Sequence, residues 1–187
     1  MKKGFLIVFI LAGFTSIHAQ FASLPFSLGI FDIDIIQRPH MIKIENKQSV
    51  QIDTHYSFTD KNKTYELRYT LFKQTEKNVQ NIGDVFTIFS IMTIRNIAGY
   101  EIDLSKFTFF NDNDVKKEFN SDFGIVGIII DPMSDYGNGY KYVILEIFYK
   151  NNIGIVVRAI MSNDTGFFLD YESIRYDEIY HSFKFKN

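Results

Sequence analysis

The segment from Val50 to Leu71 constrains the fold more than any other. Val50, Ile52, Thr54, Tyr56 and Phe58 alternate with Gln51, Asp53, His55 and Ser57. After the polar stretch Asp60-Lys-Asn-Lys-Thr64, Tyr65, Leu67, Tyr69 and Leu71 alternate with Glu66, Arg68 and Thr70. A period of two sends successive side chains to opposite faces of a strand. Two such runs about a short polar turn predict an antiparallel hairpin of half-buried strands, with the polar residues gathered on one face.

The period changes downstream. Between Asp84 and Ala98 the apolar residues Val85, Ile88, Phe89 and Met92, and again Ile91, Ile94, Ile97 and Ala98, recur at three and four. This spacing predicts a helix pressed against a sheet, with Asp84 as N-cap and Gly99 as the left-handed residue at its end. A second helix is predicted over Asp114 to Phe123, capped by Asp112 or Asp114 and ended by Gly124. The β-branched run Ile125 to Ile130 then suits a strand covered on both faces. Tyr136-Gly-Asn-Gly-Tyr140 reads as a loop, and Lys150-Asn-Asn152 as a tight turn joining strands at 141–149 and 153–161. Helical spacing returns over 173–181, and Phe183-Lys-Phe185 closes the chain. Earlier, Ile33, Ile35 and Ile36, and then Met41 to Glu45, suggest short strands within a lead-in over 20–48 that Pro25 and Gly29 otherwise make irregular.

The order predicts an α+β fold, an antiparallel β-sheet flanked by helices, as a single domain over 49–187. An eight-stranded outer-membrane barrel is the rival, since alternating strands in an exported chain are its signature. The helical segment at 84–98 and the two-sided run at 125–130 argue against it.

Export is read from the first 19 residues. Lys2 and Lys3 precede the apolar run Phe5 to Ala12, and Ile17-His18-Ala19 before Gln20 supplies a small residue at a cleavage position. This is a secretory signal peptide, with an apolar core shorter than the roughly 20 residues of a spanning helix. The mature chain is therefore expected without a transmembrane segment, in the periplasm or outside the cell. No cysteine is present, so disulfides contribute nothing and a core rich in 20 Phe and 11 Tyr must hold the fold. Losing Lys2 and Lys3 with the leader leaves 18 basic residues against 22 acidic. With no basic stripe, nucleic acid is excluded as a partner class.

Several short stretches resemble small exported proteins with a PsbP-like α/β/α sandwich: Asn96-Ile-Ala-Gly-Tyr100, Glu118-Phe-Asn-Ser-Asp-Phe-Gly124, Gly139-Tyr-Lys-Tyr142 and the closing Ser182-Phe-Lys-Phe185. The similarity is one of element order over roughly 50–185. It implies a binding or accessory scaffold with no catalytic motif, because PsbP-like domains typically assist larger complexes.

The chemistry-bearing residues are dispersed. His55 lies beside Asp53 on the polar face of its strand, and a metal site there would need a third donor such as His40. Asp32 and Asp34, two apart, share a strand face and could act as an acid pair or cation site. Asn111-Asp-Asn-Asp114 opens like a calcium loop, but Lys117 and Phe123 stand where the glycine and glutamate belong, so helix capping accounts for it. His181 falls at a helix C-terminus, where a cation is favoured. Tyr136 and Tyr140 could form a recognition surface on their loop. The favoured expectation is a non-enzymatic binding or accessory module of the cell envelope, with no cofactor and a protein or envelope component as partner. Its binding residues would be Tyr136, Tyr140, His55, Asp53 and Arg68. The alternative is a small-ligand carrier or hydrolase whose site assembles from Asp32, Asp34, His40, His55 and Arg68.

Overall fold

The computed structural model describes residues 24–46, 48–49, 52–166 and 179–186; the signal peptide expected over 1–19 and most of the helix expected over 173–181 lie outside the described residues. The chain runs through β1 (Phe26–Leu28), β2 (Ile33–Ile35), β3 (Ile42–Ile44), β4 (Tyr56–Thr59), β5 (Tyr65–Gln74) and α1 (Ile82–Ala98). A 3-10 turn at Leu104–Lys106 then leads into β6 (Phe107–Phe109), α2 (Asp112–Phe119), β7 (Phe123–Ile130) and the single turn α3 (Ser134–Gly137). The hairpin β8 (Tyr142–Lys150) and β9 (Gly154–Ser162) follows, and β10 (Phe183–Phe185) comes near the end.

The fold is α+β. One antiparallel sheet runs in the order β3-β4-β5-β9-β8-β7-β6, with β1 beside β5 beyond the end of β4. β2 and β10 pair as a separate ribbon. β3 and β6 are open edges among the described residues, so the sheet is not the closed barrel considered above. The lead-in is less irregular than Pro25 and Gly29 suggest. It supplies β1, β2 and β3, and Phe26 and Met41 are core residues.

The predicted hairpin is present as β4 and β5, with Thr59 opposite Glu66. Asp60 builds its turn, the carboxylate accepting the Thr64 N–H at 2.6 Å and the Thr64 hydroxyl at 2.7 Å. Two details differ from expectation. The first strand starts only at Tyr56, because the residues before it serve β5 in another way: the Thr70 hydroxyl donates to the Asp53 carbonyl at 2.8 Å and the His55 N–H to the Tyr69 carbonyl. The second strand is not half-buried. It lies at the centre of the sheet with both faces covered, so Glu66, Arg68 and Thr70 are buried as fully as Leu67 and Tyr69.

The alternation of β5, β8 and β9 sorts the core into two layers. Phe72, Leu145, Ile147, Val157 and Ala159 face α1, whose Phe86, Phe89, Ile94 and Ile97 are buried against them. Leu67, Tyr69, Ile144, Phe148 and Val156 face the other way, onto α2 through Val115 and Phe119 and onto the ribbon through Phe183 and Phe185. The residue preceding α1 is Asn81 at φ 52°, not Asp84, which sits inside the first turn. Gly99 at φ 91° does follow the helix. The second helix is displaced by two residues at its start and four at its end. The Asn111 side chain accepts the Asn113 N–H and caps it, while Asn120 at φ 53° takes the left-handed position assigned to Gly124. Phe123 and Gly124 thereby open β7. Because α2 is short and packs over Gly124 through Val115, it leaves the far end of β7 uncovered, and Ile128 and Ile130 are exposed rather than covered on both faces.

Gly127 and Gly154 sit where neighbouring atoms leave the least room for a side chain. A Cβ on Gly127 would fall 2.3 Å from the Phe107 ring that lies across it. Gly154 opens β9 at φ 147°, and a Cβ there would meet the Phe72 carbonyl oxygen at 2.1 Å. Gly154→Ala is therefore expected to cost at least about 2 kcal/mol, through backbone strain and displacement of β5 from β9. Urea denaturation checks this as a lowered midpoint.

Candidate functional site

Strand alternation puts Glu66 and Arg68 on the same face of β5, the face covered by α1. Burying an ion there is costly unless it is paired and hydrogen-bonded. Arg68 meets that condition twice. Its Nε donates to Glu66 Oε1 at 2.6 Å, and Nη1 donates to the Tyr136 carbonyl at 2.6 Å. The guanidinium also lies 5.2 Å from the centre of the Tyr136 ring, a cation–π contact. Its Nη2 is buried without a hydrogen-bond partner.

Tyr136 is fixed by α3, where its N–H and that of Gly137 both donate to the Met133 carbonyl. Its side chain is 1% exposed, so it is a core residue and not part of a recognition surface. Burial pushes its hydroxyl up to about 12, with Arg68 pulling the other way. Asn138 at φ 48° and Gly139 at φ 88° then turn the chain back, and the Tyr140 N–H donates to the Gly137 carbonyl.

This turn forms one wall of a cleft of about 480 Å³. Glu66 and Thr59 come from the β4–β5 hairpin, Lys63 from its turn, Asn138 and Tyr140 from the loop after α3, and Asn163 from the end of β9. Three of these side chains, Glu66, Thr59 and Asn163, are held by hydrogen bonds within the fold. Thr59 Oγ1 donates to the Tyr65 carbonyl, and Asn163 Oδ1 accepts the Lys141 N–H at 2.8 Å. Burial, then the Glu66 carboxylate, push the Tyr140 hydroxyl above its ordinary value, so it stays a neutral donor and acceptor. The cleft can thus offer a carboxylate, amides, a hydroxyl and an aromatic ring to a ligand.

Of the residues singled out from sequence, Arg68 and Tyr136 meet each other behind the cleft and Tyr140 lines it. His55 and Asp53 are elsewhere, just before the start of β4, at the junction where β1 takes over the edge of β5. There His55 Nδ1 accepts the Leu71 N–H at 3.1 Å, while the Leu71 carbonyl accepts from Gly29. His55 thereby fills a gap in the ladder. Asp32 and Asp34 do share a face, but both turn to the Lys186 ammonium, at 3.1 and 3.6 Å. His181 lies 3.2 Å from Glu118 of α2. Among the described residues, no three His, Asp or Glu side chains converge as a metal site would require.

A second buried pair lies on the opposite face. Arg158 of β9 stands directly across from Glu146 of β8, its Nε bonded to Glu146 Oε2. Phe119, Phe148, Tyr180 and Phe183 surround its guanidinium at 5.3–6.0 Å. Nη1 donates to the Ile179 and Tyr180 carbonyls, at 3.1 and 2.8 Å. Burial disfavours the charge, yet Glu146 and Tyr69 outweigh it and hold the Arg158 pKa above its ordinary value. Sequence reasoning missed this pair and the roles of Glu66, Asn138 and Asn163. Glu146 and Arg158 were legible in principle, since each is a lone charge in the middle of an apolar run, equally spaced from the turn between them.

Comparison of the chain with protein-family models, with curated proteins and with solved structures finds no match in any of the three.

Burial lowers the pKa of His55, and the Asp53 carboxylate only partly offsets this. The unfolded chain then takes up a proton near pH 6.5 before the folded one does. The contribution of His55 to stability is therefore fully present above that pH and is lost as the pH falls through the lower folded value. His55→Asn offers a side-chain oxygen to the Leu71 N–H without titrating. The stability difference between wild type and His55→Asn is expected to shift against wild type from pH 7 to pH 5, measured by urea denaturation at each pH.

Proposed function

We propose that this chain is an exported, non-enzymatic binding module of the cell envelope that holds its ligand or partner in the cleft beside the Glu66–Arg68 pair. The observation that carries this reading is the cleft itself, whose buried carboxylate is held in place by a guanidinium bonded in turn to the backbone of the opposite wall. Binding sites gain affinity when their polar groups are fixed before the ligand arrives. The volume also falls within the roughly 300–1,000 Å³ of small-molecule sites. Export rests on the leader Lys2 to Ala19. The PsbP-like reading of the fold is supported by the layering, with α1 on one face of an antiparallel sheet and α2 with the β2–β10 ribbon on the other.

The non-enzymatic reading is supported by what the polar residues already do. Arg68 braces Glu66, His55 completes a strand edge, and Asp32 and Asp34 neutralise Lys186. Side chains committed to the fold in this way are poorly placed to exchange protons with a substrate.

A thermal-shift screen of the purified protein against divalent metals, fatty acids, short glycans and nucleotides tests this. A ligand of the folded state present at 100 times its Kd is expected to raise the melting temperature on the order of 5–10 °C. A Glu66-dependent turnover of any panel compound would contradict the non-enzymatic reading, and a uniformly flat screen would remove the small-ligand cleft.

A further inference from the structure

Resting on that reading, we infer that the cleft takes a neutral, hydroxyl-rich ligand, a mono- or disaccharide. Charge comes first. Glu45 and Glu66 are the acidic residues of the lining and Lys63 the basic one, but Glu66 is already matched by Arg68 behind the wall. Glu45 and Lys63 balance what remains. The lining together with Arg68 therefore sums to zero, and the nearby Asp60 carboxylate is already engaged by Thr64, so an ion would leave its water shell without a free counter-charge in return.

Chemistry then selects among neutral ligands. A fatty chain needs an enclosed apolar tunnel, whereas this is an open cleft in which Ile44 is the one aliphatic residue and every other wall carries polar groups beside its carbon atoms. A sugar presents hydroxyls, which both donate and accept, around a ring whose C–H face packs on an aromatic plane. The cleft supplies matching groups. Glu66 is an acceptor, the Tyr140 hydroxyl is both donor and acceptor, and Thr59 Oγ1, whose proton goes to the Tyr65 carbonyl, accepts. Asn163 uses Oδ1 on the Lys141 N–H, which leaves its amide NH2 as the half that donates. Lys63 adds a charged donor at the hairpin turn. Because Glu66, Thr59 and Asn163 are each tied to the fold by hydrogen bonds, a saccharide meets a prearranged set of donors and acceptors.

The test is a two-dimensional amide NMR titration of the isotopically labelled full chain with glucose, galactose, N-acetylglucosamine, maltose and cellobiose, run beside phosphate and putrescine. At least one saccharide is expected to move the amides of Glu66, Gly139, Tyr140 and Asn163 in a saturable way, while phosphate and putrescine leave them in place. Tyr140→Ala, with its melting temperature checked against wild type, is expected to weaken that binding about tenfold, the scale of one lost aromatic packing contact. Saturable shifts at the same amides from phosphate or putrescine alone would overturn the saccharide assignment and keep the binding cleft. No response from any compound would overturn both. Saccharide binding that leaves these amides unmoved or is indifferent to Tyr140→Ala would also overturn the assignment, because the ligand would then sit elsewhere.

Discussion

Two guanidinium groups are buried in adjacent strands of this sheet, pointing to opposite faces, and the layers on either side are arranged around them. Arg68 of β5 pairs in register with Ala159, and Arg158 of β9 with Tyr69. Each is at most 1% exposed, and each has one carboxylate, at least one backbone carbonyl and at least one aromatic ring for company. An arginine left in such a place without partners would cost more than a small domain can spare. The pairs therefore decide what else has to be present. Arg68 requires Glu66 on its own strand and the Tyr136 carbonyl from α3, which fixes the loop that walls the cleft. Arg158 requires Glu146 across the hairpin and the carbonyls of 179 and 180, which docks the C-terminal segment against α2.

The two pairs also specify register. Apolar side chains alone would allow β8 and β9 to slip, since Val, Ile and Phe pack in many arrangements. A slip by one residue would turn Arg158 and Glu146 to opposite faces and leave each buried alone. Glu146 thus selects the pairing in which Arg158 stands opposite it, and the same pairing places Asn163 at the end of β9, where it closes the cleft. Stability of the sheet and geometry of the candidate site are in this sense one problem with one solution.

Much of the fold is legible in the sequence because its elements follow local rules. The β4–β5 hairpin, α1 and the β8–β9 hairpin each carry a clear period and a turn or cap. What was not legible depends on position in the sheet. Glu66, Arg68 and Thr70 read as the wet side of a half-buried strand, since alternation says nothing about whether a strand is central. That side is buried because β5 lies inside the sheet, beneath the layer formed by α1 and the Tyr136 turn. Tyr136 reads as a surface residue of a glycine-rich loop, yet the glycines are there to turn the chain after the ring has been buried under Arg68. Asn120 and Asn111 displaced the expected caps of α2 because asparagine competes with aspartate and glycine at both helix ends. The cleft was the least legible feature, since it draws on the hairpin, its turn, the loop after α3 and the end of β9.

Glu146 and Arg158 act as a unit that the sheet depends on, and a double-mutant cycle with Glu146→Gln and Arg158→Met measures their coupling by urea denaturation. Each single change is expected to cost about 3–5 kcal/mol, because each leaves one polar group buried and unmatched. The double change is expected to cost less than the sum of the two by about 2 kcal/mol or more. Additivity of the two changes within about 0.5 kcal/mol would show instead that the charges are independent neighbours and that the sheet owes its register to apolar packing alone.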